Sequence, residues 1–468
     1  MESIFTINDA AKAVSGEIKN CENCMETVFS SVSTDTRTIT EGALFVALRG
    51  EKFDGHKYAE VAINSGAICA IVEKGADISG DLPVIVVENT GQALLDLAGA
   101  YRRKFNIPVV AVTGSVGKTS TRGMIACVLS QKYKVLSTEG NLNNEIGVPH
   151  TIFGINKDHQ IAVIEMGMNH FGELSRITAA AQPNTAVITN VGEAHIENLG
   201  SREGILKAKL EVLEGLKYGG TVVLGGDNDM LWSVNGTLDF ETLYCGIENT
   251  KCDLIAENIK SYAEGSKFTF KINGKEYTAE ISVPGVHHVY NALVSILVGL
   301  IYDVPICKIL DGIKAFIPVG MRQAAVAIDK YIVIKDCYNA NPTSMKSGLE
   351  VLSLRKDEGR KVACLGDMLE LGLISEKAHR SIGECIVDYK VDCLITVGER
   401  AKLIAEGALA AGMSGKCVYS FENNQKLCEN IYKILKDGDV VLLKASRSMH
   451  LEEIADYLEK NSSKRQGR

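Results

Sequence analysis

The sequence predicts an α/β protein of three domains, and three observations predict it. These are its 468-residue length, two separate stretches in which short β-branched runs alternate with helix-length amphipathic segments, and a change of rhythm between them. At roughly 150 residues per domain the length suits three. Residues 1–90 read as a small α/β unit of short strands, helices and turns. Residues 91–317 take up a new rhythm at Ile107, with IPVVAVTG, KVLST, IAVIEMGM, TAVITNV and TVVLGG, the pattern of a mostly parallel sheet covered by helices. An alternating stretch, KFTFKINGKEYTAEISV, follows with Asn273-Gly274 as its hairpin turn, and then a helix near 287–302. After Pro318, five more strand candidates each precede a helical pattern, which makes 318–468 a Rossmann-like doubly wound unit.

Composition narrows the function. The apolar share is 46% and the charged share 23%, ordinary globular values that exclude a disordered chain. A net charge of −8 argues against a protein that coats nucleic acid or an anionic membrane. No apolar run approaches the roughly 20 residues of a membrane span. The start, MESIFTINDAAKAVSGE, shows no export signal, so a cytoplasmic protein is expected. Thirteen scattered cysteines suit free thiols in a reducing compartment, and the single C-x-x-C, Cys21 and Cys24, lacks the second pair that a zinc site needs.

The most specific local signal is Thr113, Gly114, Ser115, Val116, Gly117, Lys118, Thr119 and Ser120, lying between a strand and a helix. Glycines let backbone N–H groups turn toward an anion, and the helix N-terminus adds positive potential. Lys118 can reach the β and γ phosphates, and the Thr119 hydroxyl can ligate Mg²⁺. Val112 stands where the longer phosphate loop has its first glycine, so this is the shorter T-G-x-x-G-K-[ST] form. Glu165 ends the run IAVIE and His195 follows TAVITNV, so both are expected at the carboxyl edge of the sheet beside Thr119. In SREGILKAKLEVLEGL, Lys209 falls in the middle of an apolar arc while Lys207 faces three glutamates. Lys207 is expected to be solvated and ion-paired. Lys209 either snorkels outward or stays buried and neutral, a form that can take up CO₂ as a carbamate.

The chain resembles the Mur ligases of peptidoglycan synthesis along its whole length. The resemblance is carried by STDTR, GALFVALRGEKFDGH, TGSVGKTS, NLNNEIGVP, EMGMNHFGE, TNVGEAHIENLG, KAKLE, PGVHHVYNAL, DCYNANPTSM, GDMLELG and KASRSM. Within the family, DCYNANPTSM and GDMLELG are similar to the branch that joins D-alanyl-D-alanine to a UDP-N-acetylmuramoyl-tripeptide. The resemblance thus implies an ATP-dependent ligase with those two substrates, two Mg²⁺ ions and a carbamylated Lys209. It implies catalytic roles for Lys118, His195 and Lys209, with Thr119, Glu165, His195 and Lys209 around the metals. Asn291, Arg322 and Asp336 would join the phosphate loop on the nucleotide. Ser33, Thr36, Arg37, Asp54, Gly55 and His56 would hold the UDP-sugar end, and Asn143 and Asn144 would face the muramoyl group. Asn339 and Asn341, with Lys444, Ser446 and Arg447, would meet the dipeptide.

One departure stands out: the family's H-N-x-x-N is His287-His288-x-x-Asn291 here. A sister amino-acid ligase and an ATP-gated binding protein without ligation are the alternatives. The chain is expected to act as a monomer, with no nucleic acid partner. Reaction should wait on closure of the last domain, so the unliganded chain is expected to be open, with Arg322 and Asp336 far from the phosphate loop.

Overall fold

A computed structural model describes residues 1–468 except 3, 22, 51–52, 79, 319, 356–358 and 466–468, together with the side chains of 463–465. The first unit is a five-stranded sheet in the order Glu17–Lys19, Val84–Val87, Ala67–Glu73, Ala43–Val46, Ser31–Ser33, parallel except for its first strand. The middle unit is a seven-stranded, all-parallel sheet, whose order is Leu254–Ile255, Glu241–Gly246, Thr221–Gly225, Thr185–Ile188, Val109–Thr113, Ile161–Glu165, Val135–Ser137. Its central strands are buried on both faces, which is why they read as unbroken Val, Ile and Ala runs.

Strand Val109–Thr113 lies between Ile161–Glu165 and Thr185–Ile188, the switch point at which an α/β sheet opens a crevice. Helix α1 (Lys118–Leu129) leaves that point, preceded by Gly117 at φ 85° and capped by no side chain. Helix α2 (Arg202–Leu210) is capped by Ser201 and passes into a 3₁₀ turn, Glu211–Leu213, so only the first part of the apolar arc read in SREGILKAKLEVLEGL is α-helical. The hairpin is as expected: Ile272 pairs with Lys275 across Asn273 and Gly274, both with positive φ. A third strand, Glu257–Tyr262, completes that antiparallel sheet, and helix α3 (Val286–Ile301) follows.

The last unit is a six-stranded sheet in the order Ala324–Ile328, Tyr331–Lys335, Val440–Lys444, Lys361–Gly366, Cys393–Val397, Val418–Phe421. The five expected strands are parallel. Ala324–Ile328 adds an antiparallel edge whose mainly exposed residues carry little patterning. Helix α4 (Pro342–Ser353) packs on the central strands Val440–Lys444 and Lys361–Gly366, started by an Asn341–Ser344 capping box with Pro342 in the first turn.

One expectation about cysteines is corrected. Cys21 and Cys24 are joined as a disulfide, with their Cα atoms 5.1 Å apart, within the range such a bridge spans.

Candidate active site

Three adjacent strand ends of the middle sheet converge. After Thr113 the loop bends through Gly114, where a side chain would strike Thr189: a Cβ would lie 1.9 Å from Thr189 Oγ1. Neighbouring loop residues brace the rest. Val116 N donates to Asn190 Oδ1 at 2.9 Å, Asn190 Nδ2 donates to Val116 O at 3.0 Å, and Gly192 N donates to Ser115 Oγ at 2.9 Å. Lys118 folds over this arch, its Nζ 2.9 Å from Gly114 O, and burial pulls its pKa down. The Thr119 hydroxyl donates to Glu165 Oε1 at 3.0 Å, and Asn143 Nδ2 donates to the same oxygen at 2.8 Å.

Glu165 is 1% exposed, and its Oε2 is buried without a hydrogen-bond partner, 3.5 Å from Arg122 Nε. An orphaned carboxylate oxygen beside a threonine hydroxyl and a phosphate loop suits Mg²⁺, which is usually bound through one or two carboxylates plus phosphate and water. Arg122 was not singled out from sequence. It lies four residues beyond Lys118 on α1, which places both on one helical face.

Lys209 is 2% exposed, so it does not snorkel. Burial, and then the Lys118 charge, push its pKa well down, the condition under which an amine is neutral and reactive toward CO₂. It does not line the cavity itself. Lys207 is exposed, but the predicted ion pairing is replaced: its ammonium lies over the Phe171 ring at 5.8 Å. Glu211 is spent on the Gly172 N–H and Glu214 on the Ser175 hydroxyl.

The last unit closes the other side of this cavity, which overturns the expectation of an open chain. Arg322, Asp336, Asn339, Asn341 and Lys444 line one cavity together with Lys118, Thr119, Asn143, Asn144, Glu165 and His195. Both sheets therefore turn their carboxyl edges toward one space. Asp336 follows strand Tyr331–Lys335 and Lys444 ends the neighbouring strand, with Nζ 2.8 Å from Asp336 Oδ2. Burial pushes the Asp336 carboxyl up against the pull of Lys444. Arg322 stacks on the Tyr338 ring at 4.1 Å. His195 Nδ1 lies 2.9 Å from Glu370 Oε2, a residue of the GDMLELG loop that sequence reasoning did not select.

Several candidates serve the framework. Asn341 caps α4, Asn144 Oδ1 accepts from Ile146 N and Gly147 N, and Asn339 Oδ1 accepts from Ala340 N. Asn291 is buried, with Oδ1 accepting from Thr121 Oγ1 at 2.9 Å and Nδ2 3.3 Å from His288 Nδ1. It lines a second cavity beside Val116 and Gly117.

The first-unit candidates lie apart from both cavities. Ser33 Oγ holds the turn through Asp35 O, Thr36 begins that turn, and Arg37 is spent on Asp35 at 2.6 Å. Gly55 is pressed against Leu48, where a Cβ would lie 2.6 Å from the carbonyl oxygen. His56 is buried with both nitrogens engaged, Nδ1 by Asp54 at 2.6 Å and Nε2 by the Glu73 N–H at 3.0 Å. Asp54 and His56 therefore brace this loop, with Asp54 still partly exposed.

Comparison with known proteins agrees with this architecture. The Mur ligase family catalytic domain matches residues 28–118, the Mur ligase middle domain 112–299, and the Mur ligase glutamate ligase domain 321–447. The chain is 37% identical to the UDP-N-acetylmuramoyl-tripeptide–D-alanyl-D-alanine ligase of Bacillus subtilis (strain 168), covering 97% of this chain and 98% of that protein. Among solved structures, MurF from Acinetobacter baumannii superposes with a TM-score of 0.89 at 28% identity, over 97% of this chain and 99% of that one. MurF ligase from Thermotoga maritima in complex with ADP gives 0.81 at 28% identity, over 93% and 98%. With close relatives matched over nearly its whole length, the chain belongs to the Mur ligase family.

Proposed function

We infer that this chain joins D-alanyl-D-alanine to UDP-N-acetylmuramoyl-tripeptide with cleavage of ATP to ADP and phosphate. Its relatives carry that name, and its DCYNANPTSM and GDMLELG loops both reach the central cavity or its rim. The observation that carries the reading is a single cavity between two carboxyl sheet edges, with a phosphate loop on one wall and Arg322, Asp336 and Lys444 on the other.

The chemistry follows from charge. A carboxylate is a poor acyl donor, so the γ-phosphoryl group passes to the tripeptide's terminal carboxylate and gives an acyl phosphate. The dipeptide amine then attacks that carbonyl and phosphate leaves. The first step presses two anions together, and the cationic side chains answer that need. Lys118 and the uncapped N–H groups of α1 receive the phosphates, and Arg322 adds charge from the far wall. Thr119 and Glu165 would hold one Mg²⁺, with His195 and a carbamate on Lys209 beside a second, and these ions supply charge neutralisation and alignment. Asn143 steadies Glu165, and the seated last unit excludes water from a hydrolysable intermediate. The first unit would anchor the UDP handle. The protein is proposed to work as a cytoplasmic monomer. Among the described residues, no helix is long and apolar enough to cross a membrane.

Phosphate release in the presence of ATP tests this. Release should require both UDP-muramoyl-tripeptide and D-alanyl-D-alanine, and assaying lysine- and diaminopimelate-containing tripeptides defines the third residue. Equal release without an amine would point to an ATP-driven switch, and release with single amino acids to a sister ligase.

A further inference from the structure

Helix α3 starts without a cap of its own. Gly285 precedes it at φ 104° and has no side chain to accept from the first N–H groups. The Val286 N–H is taken instead by Glu350 Oε1, 3.1 Å away, from α4 in the last unit. One residue on, His287 Nε2 stands 3.0 Å from Gln323 Oε1, which is also in the last unit. Val351 packs close to the same spot, since a Cβ built on Gly285 would lie 3.3 Å from its Cγ2. This first turn leads directly into His287, Tyr290 and Asn291, which line the second cavity together with Glu350 and, from the phosphate loop, Gly117. Burial pushes the Glu350 carboxyl up, and the Val286 N–H draws it back.

We propose that Glu350 is a positioning residue of the nucleotide site. Contributed by the last unit, it caps α3 and fixes the turn that carries His287 and leads into Asn291. The cavity beside the phosphate loop is then complete only when the last unit is seated. A missing N-cap leaves buried donors unpaired and frays the first turn, where the helix presents its nucleotide-facing side chains. Linkage makes the effect reciprocal: whatever seats Glu350 tightens nucleotide binding, and nucleotide binding holds the last unit in place. The inference rests on reading this cavity as the nucleoside site.

The test uses the full chain. ADP binding is measured by calorimetry for the natural protein, Glu350→Gln and Glu350→Ala, and amide exchange at Val286 and His287 is followed without nucleotide. Glutamine keeps an acceptor at Oε1, so Glu350→Gln should bind ADP within about twofold of the natural protein, whereas Glu350→Ala should bind about fivefold more weakly, the worth of a cap. Exchange at Val286 should speed up in the alanine variant alone. Gln323→Ala, which leaves the cap in place, should loosen His287 and spare Val286. Unchanged ADP affinity and an unchanged Val286 amide in Glu350→Ala would overturn the proposal. Failure of the natural protein to bind ADP would instead overturn the nucleotide reading, and the Val286 amide would still decide the cap.

Discussion

His195 Nδ1 and Glu370 Oε2 lie 2.9 Å apart across the boundary between the middle and last units, and both residues have left-handed backbone, at φ 64° and 63°. Non-glycine residues rarely adopt that conformation, and two of them meeting at a domain boundary means that the surrounding packing holds each loop in place. Gly372 adds to the contact, since a Cβ there would lie 3.4 Å from Glu197. Glu370→Ala removes one of the polar ties that keep the last unit seated. The expected outcome is a larger radius of gyration for the unliganded variant in small-angle scattering, with Glu370→Gln intermediate. An unchanged scattering curve would show that the contact follows closure without supporting it.

Lys209 and Lys207 make a paired control, two residues apart on one helix with opposite exposure. Lys209→Ala is expected to lower ligase activity by about 100-fold, the scale of losing charge stabilisation at a metal site, with partial return on adding short carboxylic acids. Lys207→Ala should stay near the natural rate, because its ammonium only covers an exposed ring. Full activity in unrescued Lys209→Ala would remove the carbamate from the mechanism.

Burial holds the His287 imidazole down to about 4, and it drives His288 in the same direction. The unfolded chain, with histidines near pH 6.5, binds these protons more readily than the folded one. Their contribution is therefore present above about pH 6.5 and is lost as pH falls toward 4. Urea unfolding at pH 7.5 and pH 5 should show a clear fall in midpoint, and His287→Gln should shrink that fall. The same pH sensitivity in the variant would contradict the assignment.

Asp336 and Lys444 form a buried pair, and Lys444 Nζ also lies 3.2 Å from Asn339 O. Since burial already disfavours the Asp336 charge, Lys444→Met removes the main partner that offsets it and leaves only Arg322 and Gln323, at a cost of about 3–5 kcal/mol. Asp336→Asn together with Lys444→Met should recover much of that loss in denaturant unfolding. Additive damage in the double variant would mean that the two residues act separately.

These examples also show what could be read before folding. The phosphate loop is local: glycines, lysine and threonine within a few residues declare their geometry, and the flanking strand and helix have clean periodicity. Glu165 followed from ending a buried run, and Lys209 from its place in an apolar arc, although the helix gives way to a 3₁₀ turn after Leu210. Arg122 was legible at helical spacing from Lys118. Gln323 and Glu350 were not, because their partners lie in another unit and nothing in their own surroundings marks them, and Glu370 stood in the marked GDMLELG motif without a role because His195 lies in another unit. The edge strand Ala324–Ile328 was missed because a mostly exposed edge needs no alternating pattern.

The helix Thr90–Arg102, which packs on both the first and the middle units, has a mechanical meaning. Tyr101 donates from its hydroxyl to Ile155 O at 2.6 Å and accepts from Glu2 N at 2.8 Å. Arg102, 1% exposed, clasps the carbonyls of Phe105, Ile107 and Ala181. One apolar core, from Phe5 to Cys252, is shared by the first two units beside a second core inside the middle unit and a smaller one inside the first, whereas the two cores of the last unit are its own. Heating should accordingly melt the first two thirds as a single cooperative block, and the remaining third as another. Rigid-body motion is then confined to a single joint, the one between the last unit and the block formed by the other two.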